Sequence, residues 1–416
     1  MIVFVISLLF FVTCIAVNMH HSTVGRTTKL PVMGFMTWLE YGCNINESIA
    51  QNAIKEMSTA EPQEKSLKDL GYVYVSLDDC WNDAPRRYRR GRGEGLNVDL
   101  WRFPRGIKPL VQEAHMKGLK FGIYGDIGTN TCEKRPASLN HFQQDAEYFA
   151  NLEVDIIKVD GCWHKRDASF LEDYIKFGIA LKAARPSLLY SCSWPAYQTD
   201  HGLDNDAAAL IRLSEVCDMW RNFNDVSASE SSILSIINYF AVTKGSPLLT
   251  AQRKGSFNDA DMLVVGHDNV PINLQRMQFS IWAMIASPLY LSTDLAKLKA
   301  NDEAWKIVSN EKVIAVNQDP LAIQGWVAHA SSEYRVWVRQ LSSASPDGEW
   351  AVCIENVTTA AQSFTFNPEY VEWDADSSYT TSNLWQDEVL NQHGDFYWPL
   401  VPARDVYMFR VAKRNN

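Results

Sequence analysis

The 416-residue chain reads as a (β/α)8 TIM barrel followed by a C-terminal antiparallel β-sandwich, an α/β fold with an all-β appendage. Three observations predict this. From residue 30 to about residue 300, a helix-like stretch, a β-rich run and a polar end recur eight times, the count and period of a (β/α)8 barrel. After Gly325 the texture changes to short alternating runs separated by turn residues, as in an antiparallel sandwich. The length suits two domains, and 46% hydrophobic content with 14 Trp can fill two cores.

The first segment, "MIVFVISLLFFVTCIAV", is apolar and gives way to "NMHHSTVGR". A break after Ala16, with Cys14 two places earlier, fits signal-peptide cleavage, although the start carries no Lys or Arg. The run is shorter than the roughly 20 apolar residues of a membrane span. Residues 1–16 are therefore read as a signal peptide, with no membrane span and a secreted or luminal product. The barrel is placed at 17–322. Its runs are "LPVMGFMTW", "KDLGYVYVSLDD", "HMKGLKFGIYGD", "NLEVDIIKVDGC", "ARPSLLYSCSW", "SEVCDMWRNF", "GSPLLTAQ" and "ASPLYLS". A doubly wound open sheet would show a Gly-rich phosphate turn after its first strand, and "GFMTW" is not one. The basic stretch "RRYRRGRG", Arg86 to Gly93, reads as a solvated connecting loop. The sandwich is placed at 323–416, from "EYRVWVRQL", "EWAVCIENV", "QSFTFN" and "DVYMFRVA", with "SPDG" and "NQHG" as turns.

Removing Cys14 leaves seven cysteines. Cys353, in an alternating strand pattern, reads as a buried free thiol. The other six, Cys43, Cys80, Cys132, Cys162, Cys192 and Cys217, allow three disulfides in fifteen pairings. Asn46 of "NES" and Asn356 of "NVT" are glycosylation acceptors by pattern. Together these features favour an oxidising compartment. A net charge of −10 argues against nucleic acid as a partner.

In a barrel, the C-terminal ends of the strands face the active site. Those ends hold Trp38, Asp78, Asp79, Tyr124, Asp126, Lys158, Asp160, Ser193, Arg221, Asp225, Asn258, Asp259 and Asp261. A single strand-end Asp serves a turn as readily as a reaction; five strands ending this way are harder to assign to turns. Metal chemistry lacks H-x-H or H-E-x-x-H spacing, and phosphate chemistry lacks a P-loop. Glycoside hydrolysis needs two carboxylates, aromatic walls and charged groups for hydroxyls, and it fits best.

"GFMTW", "LDDCW", "RFPRGIKPL", "GLKFGIYGDIG", "IKVDGC", "YSCSWPAY", "WRNFND", "FNDADMLVVG" and "VNQDPL" stand in the order of the melibiase family, and residues 30 to 325 resemble it throughout. That family, number 27 of the glycoside hydrolases, comprises lysosomal α-galactosidases and α-N-acetylgalactosaminidases. The resemblance implies Asp160 as nucleophile and Asp225 as acid/base, with retention of configuration and carboxyls about 5–5.5 Å apart. It implies Trp38, Asp78, Asp79, Tyr124, Lys158, Tyr197, Arg221 and Asp261 around the sugar. Asp78 and Asp79 would hold the hydroxyls at positions 6 and 4. It also implies the pairs Cys43–Cys80, Cys132–Cys162 and Cys192–Cys217, no metal, no cofactor, a homodimer and a lysosomal location. One departure is Phe257, where the family usually carries Trp before "NDxDM".

The family's α-galactosidases carry Glu and Leu where this chain has Ser193 and Ala196, and its N-acetylgalactosaminidases carry Ser and Ala. The resemblance therefore implies room for a 2-acetamido group, on α-N-acetylgalactosaminides or α-galactosides of glycolipids, glycoproteins or oligosaccharides. α-Galactosidase as the main activity is the alternative. A non-catalytic sugar-binding protein is a remoter one, since both Asp160 and Asp225 stand in their motifs.

Overall fold

The computed structural model describes residues 28–414 except 61, 90–92, 200–205, 344–347, 375–376 and 395. The expected signal peptide lies outside the described residues. Eight short parallel strands form the barrel: β1 Met33–Met36, β2 Tyr74–Ser76, β3 Lys120–Asp126, β4 Ile156–Asp160, β5 Leu189–Cys192, β6 Met219–Arg221, β7 Phe257–Asp259 and β8 Leu289–Leu291. Their order is β8-β1-β2-β3-β4-β5-β6-β7. Leu263, just past β7, bridges Leu291 of β8 in parallel and closes the cylinder. Helices cover the outside, and side-chain caps start several of them: Asn46, Asp206, Ser229, Asp294 and Asn310 each accept a backbone N–H of the first turn.

Two of the expected elements are corrected. "GSPLLTAQ" is not a strand: Pro247–Ala251 is a short helix, begun by the Ser246 cap with Pro at its first position. The seventh strand is "FND" instead, two polar residues behind Phe257, which is too short for a hydrophobic period to reveal. The Arg-rich stretch is not a plain loop either. Asn82–Arg89 and Gly93–Val98 pair as an antiparallel hairpin, and Arg86 forms an ion pair with the fully buried Asp145.

Among its described residues the C-terminal domain has eight strands: β9 Trp326–Ala330, β10 Tyr334–Leu341, β11 Glu349–Asn356, β12 Gln362–Phe366, β13 Ser378–Asn383, β14 Val389–His393, β15 Phe396–Val401 and β16 Val406–Lys413. Six form one sheet in the order β9-β10-β11-β16-β13-β14, and β12 pairs with β15. The four runs read from sequence correspond to β10, β11, β12 and β16. Of the other four, β13 and β14 escape the pattern because polar and turn-type residues, "SYTTSN" and "VLNQH", break their alternation; "NQH" is strand rather than turn.

Both faces of the sheet's central strands β10, β11 and β16 are buried. Val336, Val338, Val352, Ile354, Phe409 and Val411 pack towards the β12–β15 pair, while Trp337, Ala351, Cys353 and Met408 join the barrel's core. This period-2 split explains why Cys353 is a buried free thiol. The barrel helix Ile272–Met284 lies against this sheet, and Arg276 pairs with Asp405 across the junction.

Candidate active site

Strand register sets the site in layers. Tyr124 of β3, Lys158 of β4 and Ser191 of β5 lie side by side, and Asp126 pairs with Asp160 one step higher. Lys158 and Asp160 therefore leave the same face of β4. Lys158 Nζ lies 2.8 Å from Asp78 Oδ2 and 3.9 Å from Asp160 Oδ2. Burial opposes its charge, yet Asp78 and Asp160 outweigh that and push its pKa up. Asp160 also accepts from Tyr197 OH at 2.7 Å and Tyr124 OH at 3.3 Å, one to each oxygen. Arg166 stands over the Tyr197 ring at 4.2 Å and donates to the Gly161 carbonyl.

A second group gathers at β6 and β7. Arg221 Nη2 lies 3.0 Å from both Asp225 Oδ1 and Asp261 Oδ2. Asp261 is buried, in the left-handed region at φ +76°, and its N–H donates to Asp259. Asp225 differs: its side chain is 83% exposed, and the Arg221 guanidinium holds its carboxyl below the usual range. Burial raises Asp79 and Asp261 to about 6. Asp79 bonds the backbone N–H groups of Cys80 and Glu133, and Asp78 accepts from the N–H of Asp79.

Lys158, Ser191, Arg221, Asp259 and Asp261 line one narrow pocket with Ser76 and Tyr290, so the two groups share an interior. The sequence reading missed Ser76, Tyr290 and Arg166. The first two sit inside short strands whose inward direction only barrel closure defines, and Arg166 had no motif to mark it. Trp38 is half-buried at the start of a short helix after β1. Ser193 lies just past β5 with its hydroxyl buried and, among the described residues, without a partner, and Ala196 is half-buried on the following turn.

Cys43–Cys80, Cys132–Cys162 and Cys192–Cys217 are disulfide-bonded. Cys162 Sγ lies 3.2 Å from Tyr197 OH, which places the second staple beside Asp160. Two clusters of metal-ligand types occur among the described residues, Cys43–Cys80–Glu133 and Asp126–Cys132–Cys162. Each draws on two sulfurs already joined to one another, so neither offers a thiolate. Asn46 is exposed and caps a helix with its side-chain oxygen. Asn356, in contrast, is fully buried, and its Nδ2 donates to Ala360, Val401 and Pro402. A nitrogen so enclosed has no room for a glycan, which corrects the expectation from "NVT".

Residues 30–319 match the melibiase family model described as alpha galactosidase A, and residues 331–411 match its C-terminal beta sandwich domain. The chain is 38% identical over 324 residues to alpha-N-acetylgalactosaminidase of Gallus gallus, covering 76% of this chain and 77% of that one. It is 35% identical over 334 residues to alpha-galactosidase A of Homo sapiens, covering 79% and 74%. It is 34% identical over 398 residues to alpha-N-acetylgalactosaminidase of Homo sapiens, covering 91% and 94%. The solved alpha-galactosidase I from Mortierella vinacea superposes with a TM-score of 0.81 at 28% identity, covering 94% of this chain and 98% of that one. With the barrel, the sandwich and both sequence blocks in agreement, the chain belongs to the melibiase family, family 27 of the glycoside hydrolases.

Proposed function

We propose that this protein is a retaining exo-glycosidase that removes terminal α-linked N-acetylgalactosamine, and α-galactose beside it, from glycoconjugates. Asp160 attacks the anomeric carbon. Tyr124 and Tyr197 donate hydrogen bonds to it and Lys158 stands 3.9 Å away, which together fix its direction. Asp225 protonates the leaving oxygen, then takes a proton from the water that releases the sugar. The Arg221 contact favours an ionised Asp225, so the acid step calls for an acidic compartment such as the lysosome. Lys158, Asp78, Asp79, Tyr124, Arg221, Asp261 and Trp38 would surround the sugar. The disulfides fit an oxidising route of synthesis. A homodimer is proposed by family likeness.

The observation that carries the N-acetylgalactosamine reading is Ser193. A buried hydroxyl without a partner is costly unless something bonds it. An acetamide would accept from it, with the small Ala196 leaving space for the methyl. A plain 2-hydroxyl would enter the same space and forfeit contacts of roughly 1–3 kcal/mol, so α-galactosides remain substrates. This tolerance also supports the second reading, α-galactosidase as main activity. The test is kcat/KM at acid pH on chromogenic α-N-acetylgalactosaminide and α-galactoside, for wild type and the double variant Ser193→Glu with Ala196→Leu. Wild type should prefer the first, and the double variant should lose it and gain on the second. An unchanged preference in the double variant would sink the pocket argument.

A further inference from the structure

The loop after β4 carries a tryptophan in a conformation that bulky side chains avoid. Trp163, three residues past Asp160, has φ +52° and is 56% exposed. An exposed tryptophan alone is ordinary, but a left-handed one persists only where its surroundings impose it. Here they do so from several sides. A Cβ on Gly128 would fall 1.9 Å from the Cys162 carbonyl oxygen and 2.8 Å from Trp163 C, so only glycine lets the loops after β3 and β4 approach this closely. Asp126 Oδ2 accepts from Cys162 N at 2.9 Å, and Thr129 N donates to Trp163 O at 3.4 Å. The Cys132–Cys162 disulfide and Arg166 on the Gly161 carbonyl hold the stretch just before it.

Core packing does not compensate for this strain. Among the described residues, the Trp163 indole N–H has no protein acceptor and its ring has no aromatic partner. Its position is informative, however. The preceding residue, Cys162, touches Tyr197 OH, which bonds Asp160, so Trp163 stands on the rim of the nucleophile's wall.

We propose that Trp163 is the platform for the leaving group, and that this leaving group is a saccharide: the first pyranose beyond the cleaved bond stacks its C–H face on the indole and accepts a hydrogen bond from Nε1. The inference rests on the glycosidase reading above. An exo-acting pocket encloses only the terminal sugar, so the next ring must be met at the rim. An indole offers an apolar face and a donor together, which matches a pyranose better than a bare alkyl chain.

The test compares a disaccharide with the glycosyl fluoride of the same terminal sugar, galactose or N-acetylgalactosamine, whichever wild type turns over faster. The fluoride has no ring to stack. The variants are Trp163→Phe, which keeps a stacking face, and Trp163→Gly, which adopts φ +52° without strain and preserves the fold. Trp163→Gly should melt no lower than wild type, lose about 3- to 10-fold in kcat/KM on the disaccharide, and stay within about 2-fold on the fluoride. Trp163→Phe should restore most of the disaccharide activity. A parallel loss on both substrates would assign Trp163 a structural role, and no loss on either would remove it from the leaving-group site; both outcomes overturn the proposal. A wild type that cleaves neither compound would overturn the glycosidase reading and this proposal with it.

Discussion

Arg221 sets the state of two carboxyls at once. One nitrogen, Nη2, lies 3.0 Å from Asp225 and 3.0 Å from Asp261, and the two respond differently because the cation is the larger influence on Asp225 and burial the larger on Asp261. The cation pulls Asp225 down, whereas burial outweighs it at Asp261 and pushes that group up to about 6. If Asp225 is the acid, activity disappears as pH rises through its pKa, and the cation places that fall at low pH. In Arg221→Gln the fall in kcat/KM should therefore move to higher pH while the maximal rate drops. A pH–rate series on a glycoside that needs a proton, set beside the glycosyl fluoride, checks this. A limb that stays in place in the variant would show that Asp225 is not the titrating acid. The carboxylates themselves were legible in the sequence, because strand ends in a barrel point to one mouth. The guanidinium that tunes them was legible only as a charge nearby.

At the scale of elements, the loops after β3, β4 and β5 act as one bracket around Asp160. Gly161 shows how tight it is: a Cβ there would meet Phe170 at 2.8 Å and Tyr197 at 2.9 Å. Gly161→Ala should destabilise the fold by about 1–3 kcal/mol through overpacking. It should also lower kcat by displacing Tyr197 from the nucleophile. Thermal melting and single-turnover rates measure the two effects, and unchanged values for both would show that the bracket yields freely. The elements also show where pattern reading fails. β4, "IIKVD", was visible because apolar residues alternate with functional ones. β7, "FND", was hidden because three residues carry no period, and the apolar "PLL" of the neighbouring helix Pro247–Ala251 mimicked a strand instead. The hairpin at Asn82–Val98 was obscured by its charge, since nothing local reveals that Arg86 will find a buried Asp145.

Across the whole molecule, burial of acidic groups couples stability to pH. Asp79 and Asp261 rise to about 6, and Asp126 and Asp259 rise as well, each mainly through desolvation. Unfolded, these groups titrate near 3.8. Between that value and about 6 the folded protein holds more protons than the unfolded chain, so stability falls as pH climbs through the folded values and is fully present below 3.8. For Asp79 alone, the rise from 3.8 to about 6 corresponds to about 3 kcal/mol. The free protein should melt at a higher temperature at pH 5 than at pH 7.5, and Asp79→Asn should flatten the difference. Equal melting temperatures at the two values would contradict the burial argument.

By itself the sequence determined the barrel and most of its strands, the change to a sandwich after Gly325, the strand-end carboxylates and the buried Cys353. All of these follow from periodicity, which dictates the face a side chain leaves from. Only the tertiary structure decided that Lys158 sits closer to Asp78 than to Asp160, that Arg221 spans two acids, that Asn356 is sealed inside and that Trp163 is held outward. These outcomes depend on register and closure between segments far apart in the chain. Local pattern determines the direction in which a residue points, and the packed barrel determines its partner.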